Sequence, residues 1–154
     1  MLERILHPTD LSPGAEHARR EVVRLARANG ADVIVLHVLE GIPDTSSIAL
    51  PSRGWQPVRD ARLDWVHDAV GAPAAMIRKA GIDARPMLRF GRPHEEIVDA
   101  AREAAADLIV MGASEPRGRR RRLGSGVVGR VIRSAPCPVL VVPRTGRAGT
   151  SAGE

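Results

Sequence analysis

The chain has 154 residues, enough for one domain with a sizeable core, and 44% of its residues are hydrophobic. No apolar run approaches the ~20 residues that a membrane span requires, and the amino terminus lacks a signal-peptide pattern, so we expect a cytoplasmic protein without membrane contact. The formal net charge is +5, and the single cysteine excludes an internal disulfide. Composition therefore excludes membrane-spanning and disulfide-scaffold classes.

Apolar runs and helical periodicities alternate along the chain. Five apolar runs predict strands, at about 4–8, 32–39, 83–90, 107–112 and 138–142. Four periodic segments between them predict helices, at about 13–28, 58–80, 93–105 and 127–134. This alternation is typical of a parallel sheet with helices on both faces.

Capping and breaking residues set the expected boundaries. Ser12 is the expected N-cap of the first helix, and Asn29–Gly30 is its expected end. Gly71 and Pro73 indicate a kink or a break in the second helix. Residues 40–56 are expected to form a long loop, and 144–154 a disordered tail after a single domain at 1–143.

The segment 106–143 carries the strongest functional signal. Its first strand ends at Gly112, which suits a buried strand that stops where the backbone needs conformational freedom. A Gly-rich loop, a helix and a second strand follow. This order presents the N–H groups of a helix N-terminus to a phosphate, so we expect an anion site here.

These segments resemble the universal stress protein family along nearly the whole chain. Besides 106–143, the residues that carry the resemblance are Ile5–Asp10 with Leu11–Glu16, Ala31–Val38, and Gly91 to Met111. The resemblance implies a Rossmann-like, doubly wound, five-stranded parallel α/β sheet with strand order 3-2-1-4-5 and helices on both faces. It also implies a ligand crevice at the carboxyl ends of strands one and four.

The same resemblance implies which residues would hold an adenine nucleotide, ATP or AMP. Asp10 matches a position near the adenosine end and Val38 one near the base, although Asp10 equally fits a turn residue and Val38 a core strand residue. Mg²⁺ is expected only together with ATP. The implied nucleotide-binding residues are Pro8, Thr9, Asp10, Val38, Met111, Gly112, Ala113, Glu115, Gly124, Ser125, Gly126 and Val127.

The glycine motif of nucleotide-binding family members is altered in this chain. Those members carry a glycine after strand four, two residues, a second glycine, nine residues, and then Gly-Ser or Gly-Thr. An ungapped count from Gly112 places Glu115 at the second glycine and a reversed pair, Ser125–Gly126, at the end. A one-residue deletion in the loop would instead bring Gly124–Ser125 into register, but it would require an insertion at the helix start.

We favour the ungapped count because Val127 and Val131 then match the family's helix. Glu115 would bring negative charge close to a phosphate, and two unit charges ~4 Å apart repel by roughly 4 kcal/mol at an effective dielectric of ~20. Arg117 and Arg119–Arg122 act in the opposite direction, because guanidinium groups pair well with phosphate. The sequence therefore predicts an anion site and leaves open whether ATP occupies it.

The arginine loop, Arg117–Arg122, also fits an RNA or DNA partner or a solvated loop. The chain has only two tryptophans and one phenylalanine, none in this loop, which disfavours stacking on single-stranded nucleic acid. We expect a nucleotide-binding regulatory protein with an unidentified protein partner. A nucleotide-free dimeric interaction module and an arginine-loop polyanion binder are the alternatives.

No arrangement of residues indicates efficient catalysis, and slow ATP hydrolysis is the most that the sequence supports. His7 and His37 lie on strands that are neighbours in the implied order and could form a pair, although core histidines are the preferred interpretation. Cys137 lies between two prolines at the start of an apolar strand, which predicts a buried structural thiol.

Strand five is apolar on both faces and would lie at a sheet edge in the implied order. Exposed apolar edges pair readily with another chain, and the resemblance implies a homodimer joined through this strand. Val139, Val141 and Val142 are the expected interface residues. Burial beneath a helix of the same subunit is the alternative.

Overall fold

The computed structural model describes residues 1–40, 56–113 and 126–143 of the chain. Five strands and four helices alternate along these residues. They are β1 Arg4–Pro8, α1 Pro13–Asn29, β2 Asp32–Leu39, α2 Gln56–Lys79, β3 Ala84–Phe90, α3 Pro93–Glu103, β4 Leu108–Gly112, α4 Val127–Ser134 and β5 Val139–Val142. Each predicted strand and helix is present, with boundaries close to those expected.

The strands form one parallel sheet in the order β3-β2-β1-β4-β5, which confirms the implied fold and strand order. Strand β1 lies at the centre, where His7 pairs with Val35 of β2 and Leu6 pairs with Ile109 of β4. The chain reverses its direction across the sheet at β1 and β4. The helices that follow these two strands therefore lie on opposite faces, and a crevice opens between the strand ends.

Each face of the sheet carries its own hydrophobic core. On one face, Ile5, Val33 and Val110 pack with apolar residues of α1 and α2, and we call this the α1–α2 face. On the other, Leu6 and Ile34 pack with residues of α3 and α4, and we call this the α3–α4 face. Because both faces of the central strands are buried, these strands are continuous apolar runs rather than alternating patterns.

Helix α1 begins and ends at the residues that the sequence indicated. Ser12 is its N-cap, although the Ser12 side chain makes no capping hydrogen bond. Gly30 ends the helix in the left-handed conformation, with φ at +68°, and its N–H donates to the carbonyl of Ala26. Glycine adopts this conformation without the steric cost that other residues carry, so the helix terminates here.

Helix α2 continues through Pro73, where the sequence indicated a kink or a break. It runs from Gln56 to Lys79 as one helix. A proline inside a helix costs about 3 kcal/mol because it removes a hydrogen bond. Val70, Ala74 and Ile77 flank Pro73 and are fully buried against the sheet. Burying a Val or Ile side chain contributes about 1.5–3 kcal/mol, so packing outweighs the local cost and the predicted break is wrong.

Strand β5 forms one edge of the sheet, as the implied order requires. It pairs with β4 from Val139 opposite Ile109 to Val142 opposite Gly112, and all four of its residues are half-buried. Cys137, just before β5, is half-buried against the α3–α4 face rather than fully buried as predicted. Its partial burial raises the pKa of the thiol.

Charged residues link the strands at the amino edge of the sheet, which is the side where the strands begin, opposite the crevice. The Arg4 guanidinium donates to the Asp32 carboxylate through Nε at 3.0 Å and Nη2 at 2.9 Å, and to the carbonyl of Ala104 at 2.8 Å. Asp107 accepts the backbone N–H groups of Glu3 and Arg4, each at 2.9 Å, and these bonds lower the pKa of its carboxyl group. The beginnings of β1, β2 and β4 are thereby tied together.

Several sequence predictions lie outside the described residues. They concern most of the long loop at 40–56, the arginine loop Arg117–Arg122, Glu115, Gly124, Ser125 and the tail at 144–154. Each of these stays a prediction.

Candidate functional site

Side-chain hydrogen bonds shape the turn between β1 and α1, which we call the Thr9–Ser12 turn. The Thr9 Oγ1 accepts the N–H of Leu11 at 3.0 Å, and the Asp10 Oδ1 accepts the N–H of Ser12 at 2.9 Å. Leu11 has a φ of +63°, a left-handed conformation that is costly for a residue with a side chain. The two side-chain bonds offset that cost. Asp10 thus has the turn role that the sequence allowed, and it is exposed.

The Thr9 backbone ties this turn to β2. The Thr9 N–H donates to the carbonyl of Leu36 at 2.8 Å, and the His37 Nδ1–H donates to the carbonyl of Thr9 at 2.8 Å. Both backbone groups of Thr9 are therefore satisfied beyond the end of β1. The turn is consequently held at a fixed place on the carboxyl edge of the sheet.

The end of β4 packs closely against the start of α1. A Cβ atom added to Gly112 would lie 3.0 Å from the carbonyl oxygen of Gly14. Gly112 does not have a positive φ, so it is not required for the backbone freedom that the sequence analysis expected. A glycine is required because a side chain would be too close to the Gly14 carbonyl oxygen. The next residue, Ala113, donates its N–H to the carbonyl of Val142 at 2.8 Å, which fixes the strand end against β5.

Helix α4 begins at the same edge of the sheet, and no side chain of the described residues caps its N-terminus. Gly126 is its N-cap, with φ −93° and ψ −175°, an extended conformation that any residue can adopt. Among the described residues, no atom lies within 4 Å of a Cβ atom added to Gly126. The first turn holds no acidic residue. Helix N-termini leave backbone N–H groups without intrahelical partners, so this end can accept an anion.

The structure brings the described members of the predicted site to the carboxyl edge of the sheet. Val38, Met111 and Val127 share the hydrophobic cluster of the α3–α4 face, and Met111 is buried there. The nine residues concerned are Pro8, Thr9, Asp10, Val38, Met111, Gly112, Ala113, Gly126 and Val127. Glu115, Gly124 and Ser125 lie outside the described ranges, so their position relative to this group stays a prediction.

The two strand histidines do not form a pair of ligands: His7 is a core residue, as preferred from the sequence, whereas His37 is half-buried rather than in the core. The His7 Nδ1–H donates to the carbonyl of Val110 at 2.9 Å, and burial lowers the pKa of this imidazole. His37 donates to Thr9 instead. Over 1–40, 56–113 and 126–143, no three His, Cys, Asp or Glu side chains are grouped so that they could hold a metal ion.

Gly14 is the residue of this edge that the sequence analysis missed. Its carbonyl oxygen is the backbone atom that faces Gly112 across the strand–helix contact. A signal was available, because a glycine just after the first helical proline is a poor helix former. Such a glycine often marks a place where another segment approaches the backbone closely.

A family model described as the universal stress protein family matches residues 1–143. The chain belongs to this family. Membership confirms the family resemblance that the sequence shows along nearly the whole chain, and it agrees with the strand order. Universal stress proteins are generally proteins of the stress response. In the described part of this member, no helix is long and apolar enough to cross a membrane.

Individual universal stress proteins are similar to this one over most of their length. Universal stress protein MJ0531 of Methanocaldococcus jannaschii is 31% identical, over 94% of this chain and 84% of the relative. The solved structure of MJ0577 from the same organism is 28% identical with a TM-score of 0.77, covering 94% and 98% of the two chains. The structure of an Archaeoglobus fulgidus universal stress protein in complex with dAMP is 26% identical with a TM-score of 0.63, covering 92% and 97%.

Proposed function

We propose that this universal stress protein binds an adenine nucleotide in the crevice between the ends of β1 and β4, and acts in the cytoplasm as a regulator in the stress response. The observation that carries the proposal is the meeting of the Thr9–Ser12 turn, the end of β4 and the N-terminus of α4 at one edge of the sheet. Ligands of doubly wound sheets bind at such switch points. The similar Archaeoglobus fulgidus protein in complex with dAMP supports an adenine nucleotide as the ligand.

The apolar part of the crevice suits the adenine base. Val38 and Met111 contribute to one cluster on the α3–α4 face, and Val127 packs against it from α4. These side chains can contact the flat faces of a purine, whose burial is favourable. The exposed Asp10 lies beyond the end of β1, where a carboxylate can accept hydrogen bonds from ribose hydroxyl groups.

The N-terminus of α4 suits the phosphates. Its N–H groups without intrahelical partners and the positive end of the helix dipole attract anions, and no described residue crowds Gly126, so a phosphate can approach the backbone there. Arg117 and Arg119–Arg122 would add positive charge, whereas Glu115 would oppose it. When ATP rather than AMP is bound, Mg²⁺ would accompany the phosphates.

We infer a regulatory role and no efficient catalysis, with slow ATP hydrolysis as the upper limit. The polar side chains nearest the crevice already have structural partners. Asp10 accepts the N–H of Ser12, and the Thr9 hydroxyl accepts that of Leu11. His37 donates to the Thr9 carbonyl. These bonds have a structural role, since they hold the turn in place. We therefore propose that the bound nucleotide acts as a signal that changes the affinity of this protein for a protein partner.

We also propose a homodimer joined through β5. In the described residues β5 has a paired neighbour on one side only, and Val139, Val141 and Val142 are half-buried. Ile132 of α4, on the same side of the domain, is 53% exposed. Two copies related by a two-fold axis could pair these strands and cover the apolar side chains.

The proposal is tested by the nucleotide content of freshly purified protein, released by denaturation and separated by anion exchange. The stripped protein is then titrated with ATP and AMP in a calorimeter. We expect near-stoichiometric adenine nucleotide, or a dissociation constant in the micromolar range, which corresponds to about 8 kcal/mol of binding free energy. An empty protein that gives no heat at millimolar ATP would contradict nucleotide binding and leave the dimeric interaction module as the function.

A further inference from the structure

A second cavity lies on the α1–α2 face, whereas the apolar part of the proposed nucleotide crevice lies on the α3–α4 face. It has a volume of about 220 Å³ and lies between α1 and α2, above the end of β1. His7 and Thr9 form its polar floor, and Ala69, Ala72 and Met76 of α2 form an apolar wall. It shares the Thr9–Ser12 turn with the crevice, but it contains none of the α4 residues that would hold phosphate.

The imidazole of His7 offers an unused hydrogen-bond acceptor to this cavity. The residue is only 1% exposed, and its Nδ1–H donates to the carbonyl of Val110. A carbonyl can only accept, so the proton is on Nδ1 and the Nε2 of the neutral ring carries a lone pair. Within the described part of the chain, Nε2 has no hydrogen-bond partner. No fully buried side-chain nitrogen of the described residues lacks a partner, so Nε2 is reached from the cavity, where a donor from a ligand can bond to it.

Among the described residues that line the cavity, the charged groups indicate an uncharged ligand. Arg19 and Glu16 line the cavity on the α1 side, and they form an ion pair in which the Arg19 side chain is 13% exposed. Because the two charges compensate each other, neither is free to hold a charged ligand. The Thr9 hydroxyl accepts the N–H of Leu11 and still has its own hydrogen to donate.

We propose that this cavity binds a small, uncharged ring compound that carries one O–H or N–H donor. The donor would bond to Nε2 of His7, and the ring would contact the side chains of Ala69, Ala72 and Met76. The size is suitable, because an apolar protein cavity of about 150 Å³ accommodates benzene. Burial keeps the imidazole neutral, and therefore able to accept, by lowering its pKa.

The probe for a first test is phenol, and toluene is its control, because toluene has nearly the same size without the donor. Both are titrated into the full chain and followed by the ¹⁵N resonances of the His7 ring. We expect saturable phenol binding with a dissociation constant in the millimolar range or tighter, and at least tenfold weaker binding of toluene. A tenfold ratio corresponds to about 1.4 kcal/mol, which is near the net value of one hydrogen bond. Equal binding of both compounds, or no saturable binding of phenol, would overturn the proposal.

Two variants of α2 place the binding in the cavity. Ala69→Leu fills part of the apolar wall and should weaken phenol binding at least tenfold. Ala75→Leu adds the same side chain to the same helix at a residue that does not line the cavity, and should leave phenol binding unchanged. If Ala69→Leu binds phenol as tightly as the unaltered chain does, the proposed location is wrong.

A further measurement on the unaltered protein keeps the test decisive if the leucine variants fold poorly. Intermolecular nuclear Overhauser effects should join phenol protons to the methyl groups of Ala69, Ala72 and Met76. Saturating AMP should not displace the phenol, because the adenine base and the phenol ring would lie on opposite faces of the sheet. Displacement by AMP, with contacts to Val38 instead, would place phenol in the crevice and overturn the proposal. A failure of the chain to bind AMP would overturn only the proposed nucleotide function.

Discussion

Replacing Gly126 by aspartate should weaken nucleotide binding roughly 100-fold without weakening the fold. The position is the N-cap of α4 and has an extended conformation, and no atom of the described residues lies within 4 Å of an added Cβ. Aspartate is a better N-cap than glycine by a few tenths of a kcal/mol, and its charge gains about 0.3–1 kcal/mol from the helix dipole. The free energy of unfolding should therefore stay the same or rise.

The same carboxylate would stand where the proposed site holds phosphate. At a separation of ~6 Å and an effective dielectric of ~20, two unit charges repel by about 3 kcal/mol, which is a loss of affinity of roughly 100-fold. Gly126→Ser is the matched control, because serine also caps the helix but carries no charge. Its affinity for the nucleotide should stay within about threefold of that of the unaltered chain.

Calorimetric titration with ATP measures the affinity of both variants, and urea unfolding measures their stability. The loss in the aspartate variant should become smaller as salt is added, since salt screens partly exposed charges. A folded Gly126→Asp protein that binds ATP as tightly as Gly126→Ser does would refute the reasoning. The phosphates would then not lie at the start of α4.

Three further results are expected from the geometry. Gly112→Ala should lower the free energy of unfolding in urea by about 1–3 kcal/mol, because its Cβ would lie 3.0 Å from the Gly14 carbonyl oxygen. The control, Gly126→Ala, should change this free energy little. Equal stabilities of the two variants would contradict the close contact. Burial lowers the pKa of the His7 imidazole in the folded state. Just below pH ~6.5 this imidazole is therefore protonated in the unfolded chain but not in the folded one, so the free energy of unfolding should fall as the pH drops through this range. The pH dependence of urea unfolding should be weaker in His7→Gln, and an unchanged slope would show that His7 is not its source. Val141→Lys should convert the proposed dimer to a monomer in light scattering after gel filtration, because lysine at a strand edge opposes pairing; a dimer that persists would place the interface elsewhere.

The sequence predicted those parts of the fold that depend on local signals. Buried strands produced continuous apolar runs, and Gly30 ended α1 where its left-handed conformation was expected. The strand order came from the family resemblance, since no local pattern specifies which strands pair. Pro73 shows the limit of a local signal, because the burial of its neighbours in α2 decides the outcome.

Features that join distant segments were not predictable in the same way. The sequence placed Gly112 in the site but gave the wrong reason for the glycine, since its partner Gly14 lies almost a hundred residues earlier. The Val110 carbonyl that accepts the His7 proton is likewise on another strand. The cavity on the α1–α2 face forms only when two helices pack on the sheet, so the spacing of residues along the chain could not predict it.

The hydrogen bonds and ion pair at the amino edge of the sheet affect which amino-acid substitutions this protein tolerates. Arg4, Asp32 and Asp107 join three strands at that edge, while the Thr9–Ser12 turn and Gly126 lie at the opposite edge. In a library of single substitutions sorted by cellular abundance, losses should concentrate at the amino-edge residues. Substitutions at Gly126 should have little effect on cellular abundance and should be depleted only when the library is selected for ligand binding. The domain thus separates the residues that keep it folded from those free to diversify its specificity.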